Sequence, residues 1–509
     1  VGAKLDNANL MASNLNYSDL TYASLIGSNM RRAILHNALL ARANISGGSL
    51  VGANLIYADL SRADLRGADI SEARLFGAKF IDSNMSESNV IFANLTGTNL
   101  SRSDLSNSIL RGSCFSNADM SDAILSDSDI SDAELHEAIM IEAKLNRANA
   151  TGVCMKGANL ARADLSSSIL RGSCLSHANM SHADLSDADL SDAELHEAVL
   201  TEAKLSRANA SGTCMNGANL SKADLSNADI DDAKMHDVNL VGAKLIGADA
   251  TGSCIENSDL RGANLTEMRL VETNLVSSDM KGLNMRRAVA MSAKMSWADL
   301  SDSILSASQL SRVEFYGTNL SNSDLSKADL TRAYMMRANL TGADLMDADL
   351  TYTDLSNANI KDANLNSANL YGTALNGADL TGSNLVSANL QGLNLMGSNF
   401  YRTKLDGATL QGPMLIQDVN LRNSSLRNAR LELILLKNVS LAGSDLRGAN
   451  LTMIMMMGVD LSDANLKGIK YDKFSLQNIL NSKLNGVRMD DGLKNDLDSL
   501  RIMQMKYQE

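Results

Sequence analysis

Proline is almost missing from this chain, at 1 residue in 509, where ordinary usage of about 5% would place roughly 25. Aromatic residues make up 4%, too few for a core built around Phe, Tyr and Trp. No apolar run approaches the roughly 18 residues of a membrane-spanning helix, so no membrane span is expected. Positive charge is short: 46 Lys and Arg stand against 59 Asp and Glu, leaving a net charge of −13. That balance disfavours the basic face of a general nucleic-acid binder, and no direct nucleic-acid binding is expected. Cysteines number 5, odd and sparse, which argues against a disulfide framework and for a reducing, cytoplasmic setting. The sequence begins at Val1 without an initiator Met. A preceding N-terminal piece is therefore expected, and a secretion signal within it would change the setting.

What is present is periodic. Read in fives, the chain begins VGAKL DNANL MASNL NYSDL TYASL, and every fifth residue from Leu5 to Leu415 is apolar, nearly always Leu, Met or Ile. Position three is mostly Ala, Ser or Thr, position four often Asn or Asp, and positions one and two mostly polar. A helix needs a period of 3.6 and a strand a period of 2. Period five implies a chain that turns a corner every few residues, with positions three and five inward. A second period lies on top. Cys114, Cys154, Cys174, Cys214 and Cys254 are spaced by 40, 20, 40 and 40, and His36, His136, His196 and His236 by 100, 60 and 40. All are multiples of twenty, so four pentapeptides form one coil. Stacked at a strand spacing of about 4.8 Å, about 24 coils would make a rod on the order of 115 Å, stabilised by neighbour-to-neighbour stacking.

Blocks such as ADLSR, ANLTG and ADLSD repeat the motif A(D/N)LXX over residues 1–476, and on these blocks the chain resembles the pentapeptide-repeat family. The resemblance implies an all-β, right-handed quadrilateral β-helix. The handedness and the square section come from the family; the five and the twenty come from the residues. The expected organisation is a regular solenoid over 1–415, a register slip at 416–420, a continued solenoid with a bulkier core over 421–476, and a C-terminal cap over 477–509. The slip is read from Leu421, which follows Leu415 by six residues, and from Pro413, which lacks a backbone donor. In the cap, LKNDLDSLRIMQMK sets Leu493, Leu497 and Leu500 on one face. A short capping α-helix near 490–507 is expected to cover open strand edges; a homodimer through that helix is the alternative.

Two surfaces stand out as interaction sites. Residues 116–240 hold 21 acidic and 9 basic residues, a net of −12. Asp122, Asp127, Asp129, Asp132, Glu134 and Glu137 recur as Asp184, Asp187, Asp189, Asp192, Glu194 and Glu197, forming acidic belts suited to a basic protein partner. The second surface is an aromatic edge of Trp297, Tyr316, Tyr334, Tyr352, Tyr371 and Tyr401. Position five shrinks to Ala at 150, 210, 250 and 290, where methionines such as Met155 and Met215 are expected to fill the space. The cysteines form a sparse line with the histidines on the next face, so no converging metal ligands and no cofactor are expected. A regular repeat offers no pocket that would orient a nucleophile, so no catalytic residues are expected. The resulting reading is a non-enzymatic, rod-shaped interaction scaffold. The family resemblance adds two alternatives: a DNA-mimic regulator or protector of a type II topoisomerase, and a secreted bacterial effector directed at host proteins.

Overall fold

The computed structural model describes residues 1–506; residue 507 of the expected helix, and 508–509 of the expected cap, lie outside the described residues. The chain divides into two compact units, Val1–Asp259 and Leu260–Glu509. Both are β-helical solenoids wound from the same repeating element.

In the first unit each position-four residue from Lys4 to Asn239 forms a parallel bridge with the residue twenty places on: Lys4 with Ser24, Ser24 with Asn44, Asn44 with Asp64. The destinations of the backbone N–H groups account for the whole motif. The position-five N–H of Leu5 donates to the carbonyl of Ser24 (2.7 Å), and the position-four N–H of Ser24 donates back to Ala3 (2.8 Å). The position-two N–H of Asn7 donates to Ile26 (2.8 Å). The position-three N–H of Ala8 closes a turn onto Leu5 (3.0 Å). The remaining position-one N–H has no backbone acceptor, and the Asn or Asp at position four supplies one: Thr21 N–H donates to Asp19 Oδ1 at 3.0 Å. Position four is therefore an Asx acceptor that completes the corner.

The corner also sets position two, whose φ is positive throughout: 57° at Asn7, 60° at Asp127, 59° at Arg207. Positions three and five are buried. Leu25, Met30, Leu35 and Leu40 are fully enclosed, and each buried Leu contributes about 2 kcal/mol. Position three is mostly small, although Met268 and Leu283 are accommodated and fully buried there as well. Where it is Ser or Thr, the hydroxyl satisfies itself on a carbonyl, as Thr98 Oγ1 does on Leu95 (2.7 Å). Ala150, Ala210 and Ala250 are buried in this unit, as are Met155 and Met215, and Ala290 is buried in the second.

The second unit repeats this scheme until Leu410. Asn389 still bridges Thr409, twenty residues on, but Asn399 bridges Asn420, twenty-one on. The extra residue is absorbed at Gly412, whose φ of 118° suits glycine alone, and at the exposed Pro413. The inserted residue thus lies earlier than the expected 416–420. In consequence Leu415, expected inside, is 48% exposed, while Met414 and Ile416 point inward. Pairing on this face lengthens into three short parallel strands, β1 (Met414–Gln417), β2 (Ile434–Lys437) and β3 (Met455–Met457), with Leu415 opposite Leu435 and Leu435 opposite Met455.

The expected solenoid over 421–476 is interrupted by a helix, α1 (Lys473–Leu480), after which pairing returns as Asp460 with Lys483 and Asn465 with Arg488. The helix starts because Asp472 caps it, accepting from Ser475 N–H at 2.8 Å. It also protects the edge of β3. Met453, Ile454 and Met456 N–H groups donate to Asp472, Ser475 and Asn478 side chains at 2.9, 3.3 and 3.1 Å. A final helix, α2 (Asp491–Lys506), buries Leu493 and Leu497. Asp490 begins it by accepting from Leu493 N–H (2.9 Å) and Gly468 N–H (2.8 Å). Tyr471 donates to Asp496 (2.7 Å), and that bond pushes its phenol up to about 12.

Candidate interaction surfaces

Each coil up to the slip presents four faces, numbered here from the residues 1–5, 6–10, 11–15 and 16–20 of every twenty. The acidic belts do not form one patch. Asp122 and Asp184 lie on face one, Asp127, Asp129, Asp187 and Asp189 on face two, Asp132, Glu134, Asp192 and Glu194 on face three, and Glu137 and Glu197 on face four. Much of their charge is answered from a neighbouring coil. Asp127 pairs with Arg147 (2.6 Å), Asp129 with Arg111 (2.7 Å), Asp187 with Arg207 (2.6 Å), Asp189 with Arg171 (2.7 Å) and Asp184 with Lys204 (3.2 Å). Hydrogen bonds from the paired guanidinium hold the Asp127 and Asp187 carboxyls below the usual range. Asp129, Asp184 and Asp189 lie low as well: burial alone would raise them, but hydrogen bonds from serine and from the paired cation outweigh it. Glu197 faces His177 at 3.3 Å. Among the described residues, the belt carboxylates of face three carry no ion pair.

The aromatic edge lies in the second unit and has a definite geometry. Trp297, Tyr316, Tyr334, Tyr352 and Tyr371 follow one another at 19, 18, 18 and 19 residues, each one coil minus one or two places. They therefore form a diagonal ridge over five consecutive coils, spanning roughly 19 Å at strand spacing, from face four across the corner onto face three. Trp297 meets Tyr316 edge to face at 5.1 Å, and Tyr352 meets Tyr371 at 5.6 Å. Trp297, Tyr334 and Tyr352 are each more than half exposed. Two members lie over glycines of the next coil: a Cβ on Gly317 would sit 2.6 Å from the Trp297 ring, and one on Gly372 2.7 Å from Tyr352. Tyr401 is set apart on face one, under Arg402 at 5.0 Å. Beside the ridge on face three runs a groove of about 430 Å³ whose walls include Glu272, Met291, Arg312 and Arg332, so that two cations face one carboxylate. Arg337 lies over the Tyr316 ring at 5.9 Å.

Several surfaces escape a reading of composition. In the first unit Tyr17, His36, Tyr57 and Phe76 form a straight ladder on face four, with edge contacts at 5.9, 6.1 and 5.6 Å; their spacings of 19, 21 and 19 were the available signal. In the second, Leu415, Leu433, Met453, Met455 and Met457 lie exposed on and beside the β1–β3 sheet, because the slip turns them outward. On α2, Ile502, Met503 and Met505 are exposed.

The histidines lie on the face next to the cysteines, and the two columns meet at the corner. The corner between faces three and four brings three position-one histidines against the position-four Cys of the next coil. The His Nδ1 to Cys Sγ distances are 3.8 Å for His136 and Cys154, 3.8 Å for His196 and Cys214, and 3.9 Å for His236 and Cys254. Cys154 and Cys174 are direct bridge partners, and burial pushes the Cys154 thiol up.

No helix among the described residues is long and apolar enough to cross a membrane. No curated protein sequence matches the chain. Among solved structures the chain is similar to HetL, a pentapeptide repeat protein involved in heterocyst differentiation regulation in the cyanobacterium Nostoc. The identity is 29%, over 50% of this chain and 90% of that one, with a TM-score of 0.16. It is similar to full-length QnrB1, a plasmid-mediated fluoroquinolone resistance protein, at 17% identity over 52% of this chain and 98% of that one, TM-score 0.15. It is also similar to Rfr23 of Cyanothece, at 30% identity over 25% and 64%, TM-score 0.10. Superpositions this partial bear no weight for function. The family profile described as pentapeptide repeats matches in segments from residues 1–32 through 375–412 and 416–452, parting at the inserted residue. With that coverage and the twenty-residue ladder, the chain belongs to the pentapeptide-repeat family.

Proposed function

We propose that this protein is a non-enzymatic cytoplasmic scaffold that docks a protein partner along the ridge from Trp297 to Tyr371. The observation that carries the reading is the ridge itself: five aromatic side chains on five successive coils, most of them exposed, in a chain with 1 Trp, 10 Tyr and 7 Phe. Rigid aromatic anchors beside arginines are the usual composition of an energetic interface centre. Arg312 and Arg332 make no ion pair among the described residues, so the partner segment suited to the groove carries carboxylates among apolar side chains. That reverses the charge expected from the belts. Right-handed winding through about 24 coils completes the architectural side of the proposal.

A second reading places a basic partner on face three of the first unit, favoured by the carboxylates of Asp132, Glu134, Asp192 and Glu194, which make no ion pair among the described residues. Affinity capture separates the two. The ridge variant carries Trp297→Ser, Tyr334→Ser and Tyr352→Ser; the belt variant carries Asp132→Asn, Glu134→Gln, Asp192→Asn and Glu194→Gln. Loss of a captured partner from the ridge variant alone supports the ridge. Loss from the belt variant alone moves the docking site to face three.

A further inference from the structure

We propose that His236, Cys254 and Glu256 form a binding site for a zinc-type divalent cation on the corner between faces three and four of the first unit. Their ligand atoms all lie within 4.8 Å of one another. A single ring nitrogen is the hub: His236 Nδ1 is 3.9 Å from Cys254 Sγ and 3.5 Å from Glu256 Oε2. A cation between the three serves all of them.

The two separations from the ring nitrogen fit the metal. Zinc sits about 2.3 Å from sulfur, about 2.05 Å from imidazole nitrogen and about 2.1 Å from carboxylate oxygen. Tetrahedral angles then place sulfur and nitrogen about 3.6 Å apart, and nitrogen and oxygen about 3.4 Å apart. The distances in the protein are within a few tenths of an ångström of both. The three side chains are partly exposed, which leaves the fourth position to water or to a donor from a bound partner. A thiolate, an imidazole and a carboxylate together select a borderline-soft ion over calcium or magnesium.

The repeat supplies its own controls. The His–Cys pair occurs three times, and the third position, twenty residues after the histidine, differs each time. It is Lys156 beside His136 and Cys154, Asn216 beside His196 and Cys214, and Glu256 beside His236 and Cys254. At Asn216 the amide donates to Cys214 Sγ at 3.6 Å, occupying the sulfur lone pair that a metal would need. At Lys156 an exposed cation stands where the third ligand would be. Glu134 and Glu194 bridge Cys154 and Cys214 from the preceding coil, but among the described residues only the third copy brings a carboxylate oxygen within 4.8 Å of both the ring nitrogen and the sulfur.

The test is cobalt(II) titration of the intact chain, read by thiolate-to-metal charge transfer in the near ultraviolet and by bound metal per chain, with far-ultraviolet circular dichroism to check folding. The expected result is one cobalt per chain, displaced by zinc. The band is lost in Cys254→Ser and kept in Cys214→Ser, and Glu256→Asn, which recreates the second copy, weakens binding at least about tenfold. Lys156→Glu, which recreates the third copy at the first, raises the stoichiometry to two. A thiolate band that survives Cys254→Ser overturns the site, as does the absence of cobalt uptake by the folded wild-type chain. Unchanged affinity in Glu256→Asn overturns the role of the carboxylate.

Discussion

Replacing Gly317 with Ala tests whether the ridge is seated by the coil beneath it. The new Cβ would lie 2.6 Å from Cε3 and Cζ3 of Trp297 and 3.1 Å from Cη2, where carbon atoms in contact settle at about 3.5–4.0 Å. Trp297 must move by about 1 Å or leave its seat. Gly317 also has a φ of 65°, which costs an L-residue about 1–2 kcal/mol. If the ring leaves, its edge contact with Tyr316 at 5.1 Å goes with it, about 0.5–1.5 kcal/mol more. The expected total is about 1.5–3.5 kcal/mol locally, of which only the backbone share persists in a Trp297→Ala background. Because Trp297 is the chain's only tryptophan, its emission reports this event alone. Gly317→Ala should shift the emission to longer wavelength and raise acrylamide quenching. Unchanged emission and quenching, or an equal cost of Gly317→Ala with and without the indole, would refute the seating argument.

Asp379 gathers Thr381 N–H (3.1 Å), Thr381 Oγ1 (2.6 Å), Asn399 Nδ2 (3.0 Å) and Lys361 Nζ (3.2 Å). Asp379→Ala should cost about 1–3 kcal/mol and speed amide exchange at Thr381, checked by hydrogen exchange. Asp445 is held between Arg447 (2.7 Å) and Arg427 (2.8 Å), whose hydrogen bonds set its carboxyl far below the usual range. A depressed folded-state value contributes stability above the unfolded value near 3.9 that is lost as pH falls below it. Chemical denaturation should therefore show Asp445→Asn destabilised at neutral pH, with the gap to wild type closing under acid. Tyr471 is the opposite case: its value, raised to about 12 by Asp496, contributes stability present below pH 10 and lost as pH rises through about 12. Spectrophotometric titration of the tyrosines should show one late phenol that disappears in Tyr471→Phe.

The pentapeptide and the twenty-residue coil were legible because each is a packing constraint repeated over most of the chain. An apolar residue at every fifth place has only one inward-facing solution. Position four was visible as Asn or Asp but unexplained, since its reason is a backbone N–H that only the folded corner leaves without an acceptor. The insertion was visible as a six-residue gap, but sequence could not say which side of Pro413 absorbs it. Gly412 decides that through its φ, and Leu415 turns outward as a result. α1 was missed because KFSLQNIL is short, and its start depends on Asp472 as a cap. The belt residues were correctly seen as duplicated. Their partners Arg111, Arg147, Arg171 and Arg207 lie 18 or 20 residues away, neighbours only once the coil is wound. The same winding turns scattered aromatics into a ridge and sets histidine against cysteine.

Docking on the ridge is tested most directly by the emission of Trp297 during titration with a captured partner. The account predicts a saturable blue shift as the indole is covered, lost in the Tyr334→Ser, Tyr352→Ser double variant and retained in the belt variant. A partner that binds with full affinity while Trp297 emission stays unchanged would contradict it.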